Sequence, residues 1–113
     1  MRFFDISEFD CHHTGRNEMQ PEFLLMLDEL RARCGFPFVI TSGYRDITHP
    51  AEAAKKQGGT HSEGIAADIK VNNGHQAYLI QKHAYELGFA GIAYGNGFVH
   101  VDSRDGIEVS WRY

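Results

Sequence analysis

Two short segments constrain this chain more than any others: GGTHSEGIAADIKV at residues 58–71 and GFVHVD at 97–102. They set His61, Asp68, His100 and Asp102 among glycine, alanine and valine, where ionisable side chains are out of place unless they meet one another. GIAADIKV reads as a strand alternating small and apolar residues with Asp68, and GIAYG with GFVHVD reads as a hairpin around Asn96 and Gly97. FPFVITS at 36–42 is bulky, β-branched and too brief for a buried helix, so it reads as an inner strand with SGYRD as its exit turn. PEFLLMLDELRARC places Phe23, Leu24, Leu27, Leu30 and Cys34 on one helical face, and is punctuated by Pro21 and Glu22 before and Arg31, Arg33 and Gly35 after. A second long helix runs through GHQAYLIQKHAYELGF and stops at Gly88, and PAEAAKK has the makings of one or two further turns. The expected fold class is α+β: a small, mostly antiparallel sheet with two main helices packed on it. Phe3, Phe4, Phe9, Phe36, Phe38, Phe89, Phe98 and Trp111 are the expected aromatic core, and His75 and His83 are expected in solvent.

The 113 residues suit one domain spanning 1–113. Net charge is −4 and the basic residues are scattered, so the footprint of a nucleic-acid binder is missing. No apolar run approaches the roughly 20 residues that cross a bilayer. The N-terminus MRFFDISEFD lacks the apolar stretch of an export signal, which leads us to expect synthesis in the cytoplasm; separately, a monomer is expected. Cys11 and Cys34 are then expected as reduced thiols, and Cys11-His12-His13 as a polar surface turn.

Catalytic zinc commonly takes three protein ligands from histidine and carboxylate, leaving a further position open. His61, Asp68 and His100 meet that count, and pairing the strands that carry Asp68 and His100 could bring all three together. Asp102 shares a strand face with His100, about 6.6 Å further along, which suits one ligand and one neighbouring acid or base. On spacing alone, a chain with seven histidines also allows a merely solvent-facing polar pair.

The wider set is more specific. THSEGIAADI has the form H-x-x-G-x-A-x-D, and together with ITSGYRD upstream and GFVHVD downstream it closely resembles the M15 family of zinc D,D-peptidases. That family includes D-alanyl-D-alanine carboxypeptidases, dipeptidases and phage endolysins. The resemblance runs from NEMQPEFLLMLDELR to Trp111 and is nearest the short phage-type members. It implies a hedgehog/DD-peptidase-like fold, zinc held by His61, Asp68 and His100, and Arg45 close to the substrate. It further implies hydrolysis of a peptidoglycan stem peptide by a carboxypeptidase or endopeptidase, which reaches the wall after release from the cell or is carried with a virion. Two positions depart from the pattern. Gly59 replaces a serine two residues before the first histidine, and Gly97 stands where members carry an acidic general base three residues before the last. Asp102 is the first candidate to replace that base and Glu63 the second, while Asp102 could equally hold a histidine tautomer. The missing acid also leaves open a non-enzymatic zinc-binding domain like that of hedgehog signalling proteins.

Overall fold

A computed structural model describes residues 1–50 and 59–113. A 3₁₀ turn at Ile6–Phe9 precedes helix α1 (Pro21–Cys34) and strand β1 (Ile40–Ser42); then come β2 (Ala66–Lys70), α2 (Gly74–Leu87), β3 (Gly91–Gly95), β4 (Phe98–Asp102) and β5 (Val109–Arg112). Pro21 opens α1, where its missing N–H costs no helical bond, and Gly35 closes it at φ +76° with its N–H on the Arg31 carbonyl. The Asn73 side chain caps α2 by accepting from the Gln76 N–H, and Gly88 ends it in the same left-handed conformation. No helix among the described residues is long and apolar enough to cross a membrane.

The strands lie in the order β1-β2-β4-β3-β5; the β3–β5 pairing is parallel and the others antiparallel. This is the expected α+β architecture with a mostly antiparallel sheet. Register divides the sheet into two faces. Ala67, Val101 and Ile92 form one row and Ile69 and Val99 another, and all five enter the buried core with Ala77, Ile80 and Ala84 of α2 and Phe23, Leu27 and Leu30 of α1. The opposite face carries a row of Ser42, Asp68, His100, Ala93 and Trp111 across the five strands. One face holds the fold together, and the other is left for polar side chains.

Several expectations need correction. Within FPFVITS only Ile40–Ser42 is strand, and it lies at the edge of the sheet, not inside it. Pro37 offers no ladder N–H, and Phe38 instead packs on Phe4 and Phe36. β2 does not alternate: Ala66 to Ile69 are all buried, because the site face is covered as well as the core face. Phe3 is exposed and lies beneath the Arg31 guanidinium, 4.3 Å from its ring centre. Trp111 lies outside the core, on the site face. β5 is an addition to the expected strands: VSWR alternates apolar and polar residues, but four residues are a short signal, and the strand is mostly exposed. The turns expected in PAEAAKK fall mainly on residues 51–58, outside the described residues.

The N-terminus is pinned through a buried carboxylate. Asp28 of α1 accepts from the backbone N–H groups of Arg2 and Phe3 and from Arg2 Nε. Burial alone would raise its pKa, but the Arg2 and Phe3 donors outweigh it and hold the carboxyl below the usual range. Asp28→Ala therefore leaves donors unmet and should cost about 1–3 kcal/mol at neutral pH. A pKa depressed by folding means that this stability is complete above the unfolded value, near pH 4, and is lost as pH falls through the folded value. Urea unfolding should show a wide gap between wild type and variant at pH 7 and a narrower one at pH 3.

Candidate metal centre

Asp68 and His100 are direct partners in the β2–β4 ladder, so the register alone sets them side by side. His61 comes from the turn at 60–64 that feeds β2. Gly64 shapes that turn: it has φ +75°, a β-carbon there would collide with the Glu18 carbonyl, and its own carbonyl accepts from Gln20 N–H. His61 Nδ1 lies 2.8 Å from the Gly43 carbonyl. A carbonyl only accepts, so Nδ1 carries the proton and the lone pair is on Nε2. Nε2 is buried without a hydrogen-bond partner and points to Asp68 Oδ1 at 3.3 Å. His100 Nδ1 is 3.0 Å from the same oxygen. Each of the three residues offers a ligand atom within 4.8 Å of the others, and all three are buried.

Among the described residues, His61 Nε2 and its neighbour Ser62 Oγ are the buried side-chain polar atoms without a partner. A buried imidazole nitrogen with a free lone pair, facing a carboxylate and a second imidazole, suits a divalent cation that prefers mixed nitrogen and oxygen donors. The residues present fit zinc. Burial would raise the pKa of Asp68, yet the His100 imidazole bonded to it holds it well below the carboxylate range. Burial would lower that of His100, yet Asp102 and Asp68 hold it above the usual value.

Asp102 is wholly buried on the same face. Its Oδ2 is 2.6 Å from His100 Nε2, the imidazole spanning the two-residue step along the strand. It also accepts from Arg104 through the backbone N–H, Nε and Nη2. Gly91 lies directly across the ladder, and a β-carbon there would occupy the space of the Asp102 carboxylate. Sequence reasoning missed Gly91; its one outward sign is its place at the start of the strand opposite GFVHVD.

A cleft of about 580 Å³ opens over the histidines. Arg45 lines it, with Nη2 3.2 Å from Asp68 Oδ2 and Nε 3.0 Å from Ser42 Oγ, so this expected residue does join the site. Glu63 lines the cleft from an exposed position. Arg104, Trp111 and Tyr113 complete the far wall, and the sequence reading had assigned none of them there. The Trp111 ring centre is 5.1 Å from that of His100. Gly97 takes φ +80° in the turn between β3 and β4, a conformation that suits glycine and strains an acidic residue. Tyr94 belongs to the row of Val99 and Ile69, on the face away from the cleft.

Gly91→Ala should destabilise the fold by about 1–3 kcal/mol, because the new methyl competes with a buried, fully bonded carboxylate. Gly74→Ala meets nothing at the start of α2 and should be neutral or gain up to about 1 kcal/mol. Urea denaturation of the two variants side by side checks the contrast.

A model of the family described as Peptidase M15 matches residues 4–102, which include Arg45, His61, Asp68, His100 and Asp102. No curated protein matches the chain. The matched stretch ends just short of Arg104, Trp111 and Tyr113, so the far wall of the cleft lies beyond it. With most of its length matched and the His-Asp-His group assembled in an open cleft, the chain belongs to the M15 peptidase family.

Proposed function

We propose that this peptidase is zinc-dependent and cuts peptide bonds in the stem peptides of bacterial peptidoglycan. The observation that carries the metal is the unpartnered Nε2 of His61, buried and aimed at Asp68 beside His100. His61 Nε2, an Asp68 oxygen and His100 Nδ1 would hold the ion. Bound there, zinc would supply Lewis-acid activation of water and of the scissile carbonyl. The wall substrate rests on the family resemblance, together with a cleft open enough to admit a peptide.

The chain's own residues divide the remaining work. Asp102 accepts the proton-bearing Nε2 of His100 and so leaves Nδ1 as the donor nitrogen, the orienting role that carboxylates often play beside metal-ligating histidines. Its complete burial and its bonds to Arg104 support this reading over that of a general base, which must exchange protons with water or substrate. Glu63, lining the cleft and exposed, is then the proposed proton acceptor. Arg45 is placed to donate to a carbonyl or carboxylate of the substrate.

One observation favours a second reading, a zinc domain without hydrolytic activity: the left-handed turn at Gly97 leaves no acid at the position family members use. Metal analysis and peptidoglycan digestion on one preparation, with product masses read by mass spectrometry, separate the two. The peptidase reading expects about one zinc per chain and new amino termini, with both lost in His61→Ala. Glu63→Gln should keep the metal and lose about 10²- to 10⁴-fold in turnover. Asp102→Asn should instead weaken zinc by about 10- to 100-fold, measured by competition with a chromophoric chelator. Zinc bound with peptidoglycan left intact would establish the binding domain.

A further inference from the structure

We infer that Arg104, stacked on Trp111, receives the carboxylate on the C-terminal side of the bond to be cut. The inference rests on the peptidase reading above and gives it a substrate preference. Arg104 spends one edge of its guanidinium on Asp102, Nε to Oδ1 at 2.9 Å and Nη2 to Oδ2 at 2.7 Å. Of the five N–H donors an arginine carries, those of Nη1 have no partner among the described residues. The guanidinium carbon sits 4.8 Å over the Trp111 ring, which fixes the plane of the group. Asp102 is fully buried while the Arg104 side chain is 32% exposed, so the carboxylate is sealed behind and the free donors open to the cleft.

The sheet order gives these donors a direction. Arg45 follows β1 at one end of the sheet, Trp111 belongs to β5 at the other, and His100 lies on a strand between them. A peptide laid across the histidines therefore meets a guanidinium on each side. Both guanidiniums spend Nε and Nη2 inside the protein, Arg45 on Ser42 and Asp68 and Arg104 on Asp102, but Arg104 is held bidentate by one carboxylate and lies over the Trp111 ring, so its outer end is the preoriented one that matches a carboxylate. Glu63 and Asp105 line the same cleft from exposed positions. Net charge there does not attract anions from a distance, so the preference has to arise from donors in contact.

Trp111 is the chain's single tryptophan, so its fluorescence reports on the subsite independently of turnover. The zinc-loaded full chain is mixed with acetyl-D-Ala-D-Ala or its C-terminal amide, and quenching is read in the first milliseconds for wild type, Arg104→Gln and Arg104→Lys. The acid should bind wild type about tenfold more tightly than the amide. Arg104→Gln should bring the ratio close to one, and Arg104→Lys should fall between. If Arg104 only tethers Asp102, Arg104→Gln weakens acid and amide alike and the ratio persists, which overturns the inference. Equal binding of acid and amide by wild type overturns the subsite and leaves the peptidase reading standing. Binding of neither probe overturns the inference, and the digestion experiment above then decides the peptidase reading by itself.

Discussion

The structure depends on burying two carboxylates and two imidazoles on one face of a small sheet. Removing an ion from water costs several kcal/mol even after relaxation, and leaving one member of a buried pair alone costs about 3–5 kcal/mol. Each group here is therefore tied to the next: Gly43 to His61, Asp68 to His100, His100 to Asp102, Asp102 to Arg104. The chain of contacts begins at a backbone carbonyl and ends at a guanidinium that reaches the cleft. Between those ends, His61 Nε2 faces Asp68 without a hydrogen bond, and so the site's chemistry is concentrated at that nitrogen.

Such a row can exist only where its neighbours make space. Ala66 and Gly91 flank Asp102 across the ladder and Ala93 flanks His100 on the side away from Asp68, and these three take up almost no volume on the site face. The space they leave is filled by the Asp102 carboxylate over Gly91 and by the Trp111 indole reaching past Ala93 towards His100. Valine and isoleucine take the alternate positions on the same strands, where they meet the helices. Period-two alternation thus separates stability from chemistry residue by residue along β4: Val99 and Val101 hold the core, and His100 and Asp102 build the site.

Much of this was legible in the sequence because it is local. The helix limits at Pro21, Gly35 and Gly88 follow from the residues at those positions, and the β3–β4 hairpin follows from Asn96-Gly97. The His-Asp-His group was legible because H-x-x-G-x-A-x-D sets two of its members at one strand entry, and GFVHVD supplies the third on a strand able to pair with it. The parts that escaped depend on contacts between distant segments. Gly91 matters only because Asp102 lies across from it, and Arg104 only because Trp111 comes back beside β3 in parallel. The sequence reading counted Trp111 as core on aromatic character, but the same character makes it a wall once its strand lies on the site face. Spacing left Asp102 balanced between base and orienting group, and it took burial and the Arg104 bonds to weigh one against the other.

The glycine at position 97 follows from the same economy of space. An acidic base carried three residues before His100 has to rise from the β3–β4 turn, but here that turn is a tight two-residue connection with Gly97 in the left-handed region. The turn at 60–64, by contrast, is held through Gln20, Arg45 and Gly43, and carries both His61 and Glu63 on a fixed backbone. A proton acceptor on that turn is positioned by the same contacts that position the ligand. A carboxylate on that turn, the place proposed for Glu63, needs no second rigid segment to carry it to the cleft.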